Sequence, residues 1–224
     1  MMQLPQKTLW VWERPEDLGG IDTSSTAIAW LDRTIQIGDR LTHSPRRQSV
    51  IYPDSVRRIA VVRIEVQAGT DLSGEHGRDL VTEAVDQIMD SARKPGIAAL
   101  QIDFDATRSQ RSFYTELLRQ LRSRTPKELP LSITALASWC SYDDWIGNLP
   151  VDEAVPMYFR MEPDRRMAPQ DRPEYRIREP LCMGSVGIST RELWPSNMGR
   201  KRIYIFADRG WREDLPYLAS RRLP

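Results

Sequence analysis

The sequence predicts a closed parallel α/β barrel of the (β/α)8 type, a TIM barrel in which several outer helices are short or missing. Three observations predict it. Eight strand-like runs recur along the chain, near 8–13, 27–37, 58–67, 98–106, 130–139, 153–161, 182–188 and 202–208. Two well-patterned helices lie between consecutive strands, and three successive strands share one apolar and one polar face.

The helices come first. From Arg78 to Arg93, Leu80, Val81, Ala84, Val85, Ile88, Met89 and Ala92 recur at three- and four-residue spacing, so one face suits a sheet, and Pro95-Gly96 ends the run. From Ser112 to Arg124, Phe113, Tyr114, Leu117, Leu118 and Leu121 make a second stripe, closed by Pro126. Residues 58–139 then read as two consecutive βαβ units, whose crossovers give parallel neighbours of right-handed sense. Residues 14–26, 38–57 and 162–181 are rich in Pro, Gly, Arg and Asp and read as loops or hairpins. A barrel of this type typically has ~250 residues, so a chain of 224 with long loops at 38–57 and 161–180 must lack some outer helices. The expectation is one barrel domain over 1–224, with the Pro-rich 161–180 loop a candidate lid.

The strand faces place the chemistry. In 98–106, Leu100, Ile102 and Phe104 alternate with Gln101, Asp103 and Asp105. In 58–67, Ala60, Val62, Ile64 and Val66 alternate with Arg63, Glu65 and Gln67, and in 130–139, Ser132, Thr134 and Ser138 oppose Ile133, Ala135 and Ala137. Side chains alternate across a strand, so each set shares a face. An open doubly wound sheet needs both faces apolar, whereas the inner top of a barrel is where polar site residues project. Asp103 and Asp105 would stand about 6.6 Å apart along a strand, close enough to perturb each other's proton affinity, with Arg63 as a neutralising neighbour.

Composition excludes other classes. The formal charge is +1, from 32 basic and 31 acidic residues, so no net field gathers polyanions and nucleic acid is not an expected partner. No run is long enough for a transmembrane segment. Met1–Lys7 has no apolar core of a secretion signal, so the default location is cytoplasmic, with export if a signal has been trimmed. Cys140 and Cys182 are too few for a disulfide framework and have no metal-ligand spacing. Buried thiols are the default, and a bridge stays open for a chain outside the cytoplasm. His43 and His76 stand alone, Gly19-Gly20 lacks the strand-turn-helix context of a phosphate loop, and Ser185 lacks the full spacing of a nucleophile elbow. No metal and no cofactor are expected.

Three segments carry a resemblance. Leu-Gln-Ile-Asp-Phe-Asp (100–105), Leu-Ser-Ile-Thr-Ala (131–135) and Val-Asp-Glu-Ala-Val-Pro-Met-Tyr-Phe-Arg (151–160) resemble strands four, five and six of the chitinase-like glycoside hydrolase barrels. The stretch from Trp10 to Trp211 is also similar to an uncharacterised bacterial domain-of-unknown-function family with runs like Gln-Ile-Asp-Phe-Asp-Ala and Ile-Thr-Ala-Leu-Ala-Ser-Trp-Cys. The hydrolase resemblance implies an acidic motif ending in a proton-donating glutamate two residues beyond its last aspartate. Asp103 and Asp105 match its last two aspartates, but the glutamate position holds Thr107, which cannot act as a general acid near neutral pH. The motif's first aspartate falls on Leu100, and the sixth-strand Met-x-Tyr-Asp becomes Met157, Tyr158, Phe159, Arg160.

The expected function is therefore carbohydrate-directed: a cofactor-free glycoside hydrolase acting on a polysaccharide through strand-end carboxylates. The alternatives are a non-catalytic polysaccharide-binding barrel and a protein-interaction scaffold. Asp103, Asp105 and Glu65 are the candidate catalytic residues, with Glu13 and Asp208 as further carboxylates near strand ends. Trp12, Arg63, Trp139, Met157, Arg160 and Trp211 are the candidate substrate-binding residues. Flat rings suit sugar faces, Trp10 and Trp12 alternate on the first strand, and Trp211 resembles the tryptophan that floors the sugar pocket in chitinase-like barrels.

Overall fold

The computed structural model describes residues 4–159, 175–195 and 198–220. In chain order the elements are β1 (Lys7–Val11), β2 (Glu16–Asp17), β3 (Thr26–Ile37), β4 (Leu41–Pro45), β5 (Val50–Ile51), β6 (Arg57–Val66), α1 (Gly74–Ala92), β7 (Ile97–Asp103), α2 (Arg111–Arg124), β8 (Leu131–Leu136), α3 (Ala137–Ser141), β9 (Glu153–Met157), β10 (Ser185–Ser189), β11 (Arg202–Phe206) and α4 (Trp211–Ser220). Eight parallel strands close on themselves in the order β1-β3-β6-β7-β8-β9-β10-β11, with β11 returning to pair β1. Each of the eight strand-like runs supplies one of these staves. The 38–57 segment holds β4, which folds back antiparallel on β3, and β5, which pairs β2 from the 14–26 segment.

Two layers of core follow from the alternation. Outside, Ala60, Val62 and Ile64 of β6, Leu100 and Ile102 of β7 and Ile133 of β8 pack under the apolar stripes of α1 and α2. Each fully buried side chain of this size contributes about 1.5–3 kcal/mol, which explains why these two amphipathic helices cover this arc of the barrel. Inside, Trp10, Ala29, Leu31, Ile59, Val61, Ala99, Val155, Tyr204 and Phe206 fill the cylinder. A polar chain threads between them: Trp10 Nε1 donates to Gln101 Oε1 at 2.8 Å, Gln101 Nε2 to Ser132 Oγ at 3.1 Å, and Tyr204 OH to Glu153 Oε2 at 2.8 Å. Arg202 closes it on Glu153 at 2.7 Å.

Local departures have local causes. β7 ends at Asp103, so Asp105 lies beyond the ladder. The expected 130–139 strand ends at Leu136, because Ala-Ser-Trp-Cys-Ser has no β-branched residue and turns into α3, which takes Ser138 and Trp139 off the strand. A bulge between Leu31 and Arg33 turns Asp32 outward, where it accepts from Ser91 Oγ at 2.7 Å and Lys94 Nζ at 2.5 Å and fastens the end of α1. β9 and β10 share one register pair, Gly187 with Met157, and a Cβ at Gly187 would come within 2.8 Å of the Met157 sulfur.

Cys140 and Cys182 form a disulfide, with Cα atoms 5.8 Å apart, in place of the two buried thiols taken as the default. Arg178 N donates to Cys140 O at 2.8 Å, which brings the cysteines' segments together. The lid candidate at 161–180 falls largely outside the described residues.

Candidate functional site

The site grows from one register pair. Arg63 of β6 stands beside Asp103 of β7, both on the inward face that alternation assigns them. Arg63 Nη1 reaches Asp103 Oδ2 at 3.3 Å and its Nε reaches Glu65 Oε1 at 2.8 Å, so one guanidinium bridges two carboxylates. From β8, Thr134 Oγ1 donates to Asp103 Oδ1 at 2.7 Å. Asp103 is 8% exposed. Burial pushes its carboxyl up to about 6, with Thr134 and Arg63 pulling down and Asp105 and Glu65 adding to the rise. Its proton is therefore exchanged in mildly acidic water.

Beyond the strand end the chain opens a hollow of about 280 Å³ lined by Arg63, Glu65, Asp103, Asp105, Thr107 and Gln110. Glu65 and Asp105 are exposed. Thr107 starts a short 3-10 turn over Arg108–Gln110 and is locked in a capping box, its N–H donating to Gln110 Oε1 at 2.8 Å. On the other side of Arg63, its guanidinium carbon lies 5.5 Å from the half-buried Trp12 ring, which tilts against Trp10 at 4.3 Å. Met157 and Phe159 are half-buried around the Trp10 and Phe206 rings of the inner core.

The expected site residues divide clearly. Asp103, Asp105, Glu65 and Arg63 come together, and Trp12 touches the group through Arg63. Met157 lies on the inner face of β9. Trp139 is 3% exposed in α3, edge-on to Trp145 at 4.8 Å in the outer core. Trp211 is 0% exposed, its Nε1 donating to Trp10 O at 3.0 Å. Neither ring is available to a sugar, because each tops the outer layer instead of the mouth. Both were candidate substrate-binding residues, and their burial in these packings takes them off the accessible surface. Glu13 accepts the Arg47 and Gln48 N–H groups in a surface turn, and Asp208 is exposed on the loop before α4. Arg160 lies outside the described residues. Thr134, expected on the polar face but without a role, and Gln110 complete the group. The signal for Gln110 is the Thr107-x-x-Gln110 capping pattern, and the signal for Thr134 is its place on the polar face of β8 next to Asp103.

No group of three acidic, imidazole or thiol side chains among the described residues converges on a metal position. No helix among them is long and apolar enough to cross a membrane.

The segment carrying β6, β7 and β8 is also where the family comparison falls. Residues 54–157 match a domain of unknown function, DUF3142. The DUF3142 match spans Arg63, Glu65, Asp103, Asp105 and Met157 and leaves Trp12 outside. No curated protein matches the chain. Among solved structures, the spore cortex-lytic enzyme SleL of Bacillus cereus is similar over 85% of this chain and 54% of its own, at 14% identity and a TM-score of 0.50. The chitinase domain of the spore coat protein CotE from Clostridium difficile is similar over 73% and 54%, at 14% identity and a TM-score of 0.43. The chain spans about half the length of each. The likeness to SleL is one of fold: the DUF3142 segment forms part of a closed parallel barrel.

Proposed function

We propose that this barrel is directed at carbohydrate and cleaves glycosidic bonds at its β6–β7 rim without a cofactor. Asp103 delivers the proton, and Asp105 or Glu65 serves as the second carboxylate. The observation that carries the reading is the Asp103 carboxyl, enclosed at the barrel mouth between Thr134 and Arg63 and pushed up to about 6. Glycoside hydrolysis needs an acid that still holds its proton near working pH. It also needs an ionised partner about 5–5.5 Å away for retention or about 6.5–9.5 Å away for inversion. Asp105 and Glu65 line the same hollow and are exposed, which keeps them solvated. The half-buried Trp12 ring lies under the Arg63 guanidinium and helps hold that cation beside the carboxylates. The fold likeness to a cortex-lytic enzyme supports the same direction.

A second reading is a barrel that binds polysaccharide without cutting it. Thr107 favours it: the position that holds the acid in the chitinase-like motif carries a hydroxyl, beside a backbone N–H capped by Gln110. Reducing-sugar release from a polysaccharide panel, run beside a glycan array, separates the two. For a hydrolase, Asp103→Asn lowers release about 10²–10⁴-fold while array binding persists. Array binding with no release from the unmodified protein assigns the binder. Silence in both assays overturns the carbohydrate reading.

A further inference from the structure

We infer that the outer wall of the barrel carries a second binding site, a hollow over Trp30 that takes a sugar ring bearing a carboxylate. The site follows from how the chain crosses from β3 to β6. None of the described helices lies in this crossover. Instead β4 pairs back on β3 as far as Pro45, opposite Arg33, and the chain then leaves β3 so that Val50 and Ile51 pair with β2. The departure leaves a hollow of about 270 Å³, lined among others by Trp30, Asp32, Arg46, Val50, Tyr52 and Lys94. Ala60, the register partner of Trp30 in β6, belongs to the outer core, so the hollow lies across the barrel wall from Arg63 and Asp103.

The side chains leave donors and positive charge over. Asp32 is the lining carboxylate, and it is occupied by Ser91 Oγ at 2.7 Å, Lys94 Nζ at 2.5 Å and Arg33 at 3.5 Å. Arg46 has no ion pair among the described residues: the backbone carbonyls of Arg14, Leu31 and Gln48 fix its guanidinium without cancelling its charge. Glu13 and Glu16 act on it from farther off, but Glu13 is held by the Arg47 and Gln48 N–H groups and Glu16 by Arg14 and the Trp211 N–H. Lys94 is exposed and keeps ammonium hydrogens beyond the one on Asp32, and the Trp30 indole N–H has no partner among the described residues. Such a set of donors calls for an oxyanion. The wall beside them is aromatic, with the Trp30 and Tyr52 rings 6.4 Å apart and 22° from parallel. Arg58 stacks on both rings at 5.3 and 5.7 Å but does not line the hollow, so it leaves this part of them open. A ring with C–H faces and one carboxylate meets both the donors and the wall, whereas a bare oxyanion meets only the donors.

The test is an NMR titration of the full chain that follows the Trp30 indole N–H signal, assigned with Trp30→Phe. That signal reports on this wall alone, so the result is independent of what the rim hollow binds. The probes are glucuronate, glucose and inorganic phosphate. Glucuronate is expected to shift the signal and to bind about three- to fivefold more tightly than glucose, the size of an exposed ion pair, with a preference that shrinks as salt rises. Lys94→Gln keeps a hydrogen bond for Asp32 and removes the preference, while Arg93→Gln, which deletes an exposed charge outside the lining, leaves it intact. Val50→Trp fills the hollow without removing a partner from any charge and abolishes binding. A Trp30 signal unmoved by glucuronate, equal affinity for glucose, equal loss in the Lys94 and Arg93 variants, or binding that survives Val50→Trp overturns the inference. Phosphate binding as tightly as glucuronate overturns the assignment of a sugar ring.

Discussion

Arg63 and Asp103 are direct register partners on adjacent parallel strands, and their side chains meet at 3.3 Å on the inner face of the barrel. Neither group is there alone, since Thr134 holds the other oxygen of Asp103 and Glu65 the other edge of Arg63. Burial sets the raised proton affinity of Asp103 and the pair moderates it, and the first two expectations follow from that balance.

Asp103 is held near 6 chiefly by burial, whereas an unfolded aspartate titrates near 3.9. The folded state therefore keeps a proton that the unfolded chain has lost between about pH 4 and pH 6, and stability falls as pH rises through that window. The loss attributable to this group is about 2–3 kcal/mol, complete above the folded value. Urea unfolding at stepped pH checks it: Asp103→Asn is expected to flatten the slope between pH 4 and 6. An unchanged slope in the variant removes Asp103 as its source.

Arg63→Met keeps much of the side-chain volume and deletes the charge. Without the cation, burial and the neighbouring Asp105 and Glu65 act on Asp103 unopposed save for Thr134, so its titration moves upward. Carboxyl carbon NMR of the variant reads this directly. A midpoint unmoved or lowered contradicts the electrostatic account of the site.

Asp214 is fully buried at the first turn of α4 and accepts from Thr190 Oγ1 at 2.6 Å, Arg191 Nε at 2.9 Å and the N–H groups of Asp208 and Arg209 at 2.8 and 3.1 Å. Asp214→Ala strips partners from several donors at once and is expected to cost about 3–5 kcal/mol in denaturant unfolding. A cost under about 1 kcal/mol would show that the loop after β11 does not depend on it.

Tyr114 is the converse case. Its hydroxyl is buried against Phe104 without a hydrogen-bond partner among the described residues, and burial pushes its proton affinity well up, so it stays neutral. Tyr114→Phe is expected to leave stability unchanged or raise it by about 1 kcal/mol, since an unsatisfied polar atom is removed and the ring packing kept. A clear destabilisation in thermal melts would point to a partner for that oxygen.

Most of the barrel was legible because alternation is a local signal. Leu100, Ile102 and Phe104 against Gln101, Asp103 and Asp105 fixes which way each residue faces once the strand is parallel and one face is covered by helices. The same logic brought Arg63 to Asp103, because adjacent parallel strands in phase align their polar sets. What alternation does not carry is where a strand stops. The Ala135-Leu136-Ala137 stretch continues the period on paper, yet the chain turns into α3 there and buries Trp139 among outer-layer rings. Trp211 went astray for a related reason: a ring following the last strand can fold over the mouth or back along the wall, and the hydrogen bond to Trp10 O that decides it spans nearly the whole chain. The disulfide likewise depends on tertiary proximity, not on spacing.

Among the described residues β9 and β10 share the fewest register pairs of any neighbours in the cylinder, Gly187 with Met157 alone. Amide hydrogens there should exchange ahead of those along β3 and β6, where the ladder is long, and the barrel should breathe along that line first. The cystine joins α3, which follows β8, to the turn just before β10, and both of these segments pack against β9, so it ties the outer layer together beside these strands. Opening it removes a cross-link over 42 residues, a change expected to lower stability by about 2–4 kcal/mol and to show earliest as faster exchange in β9 and β10.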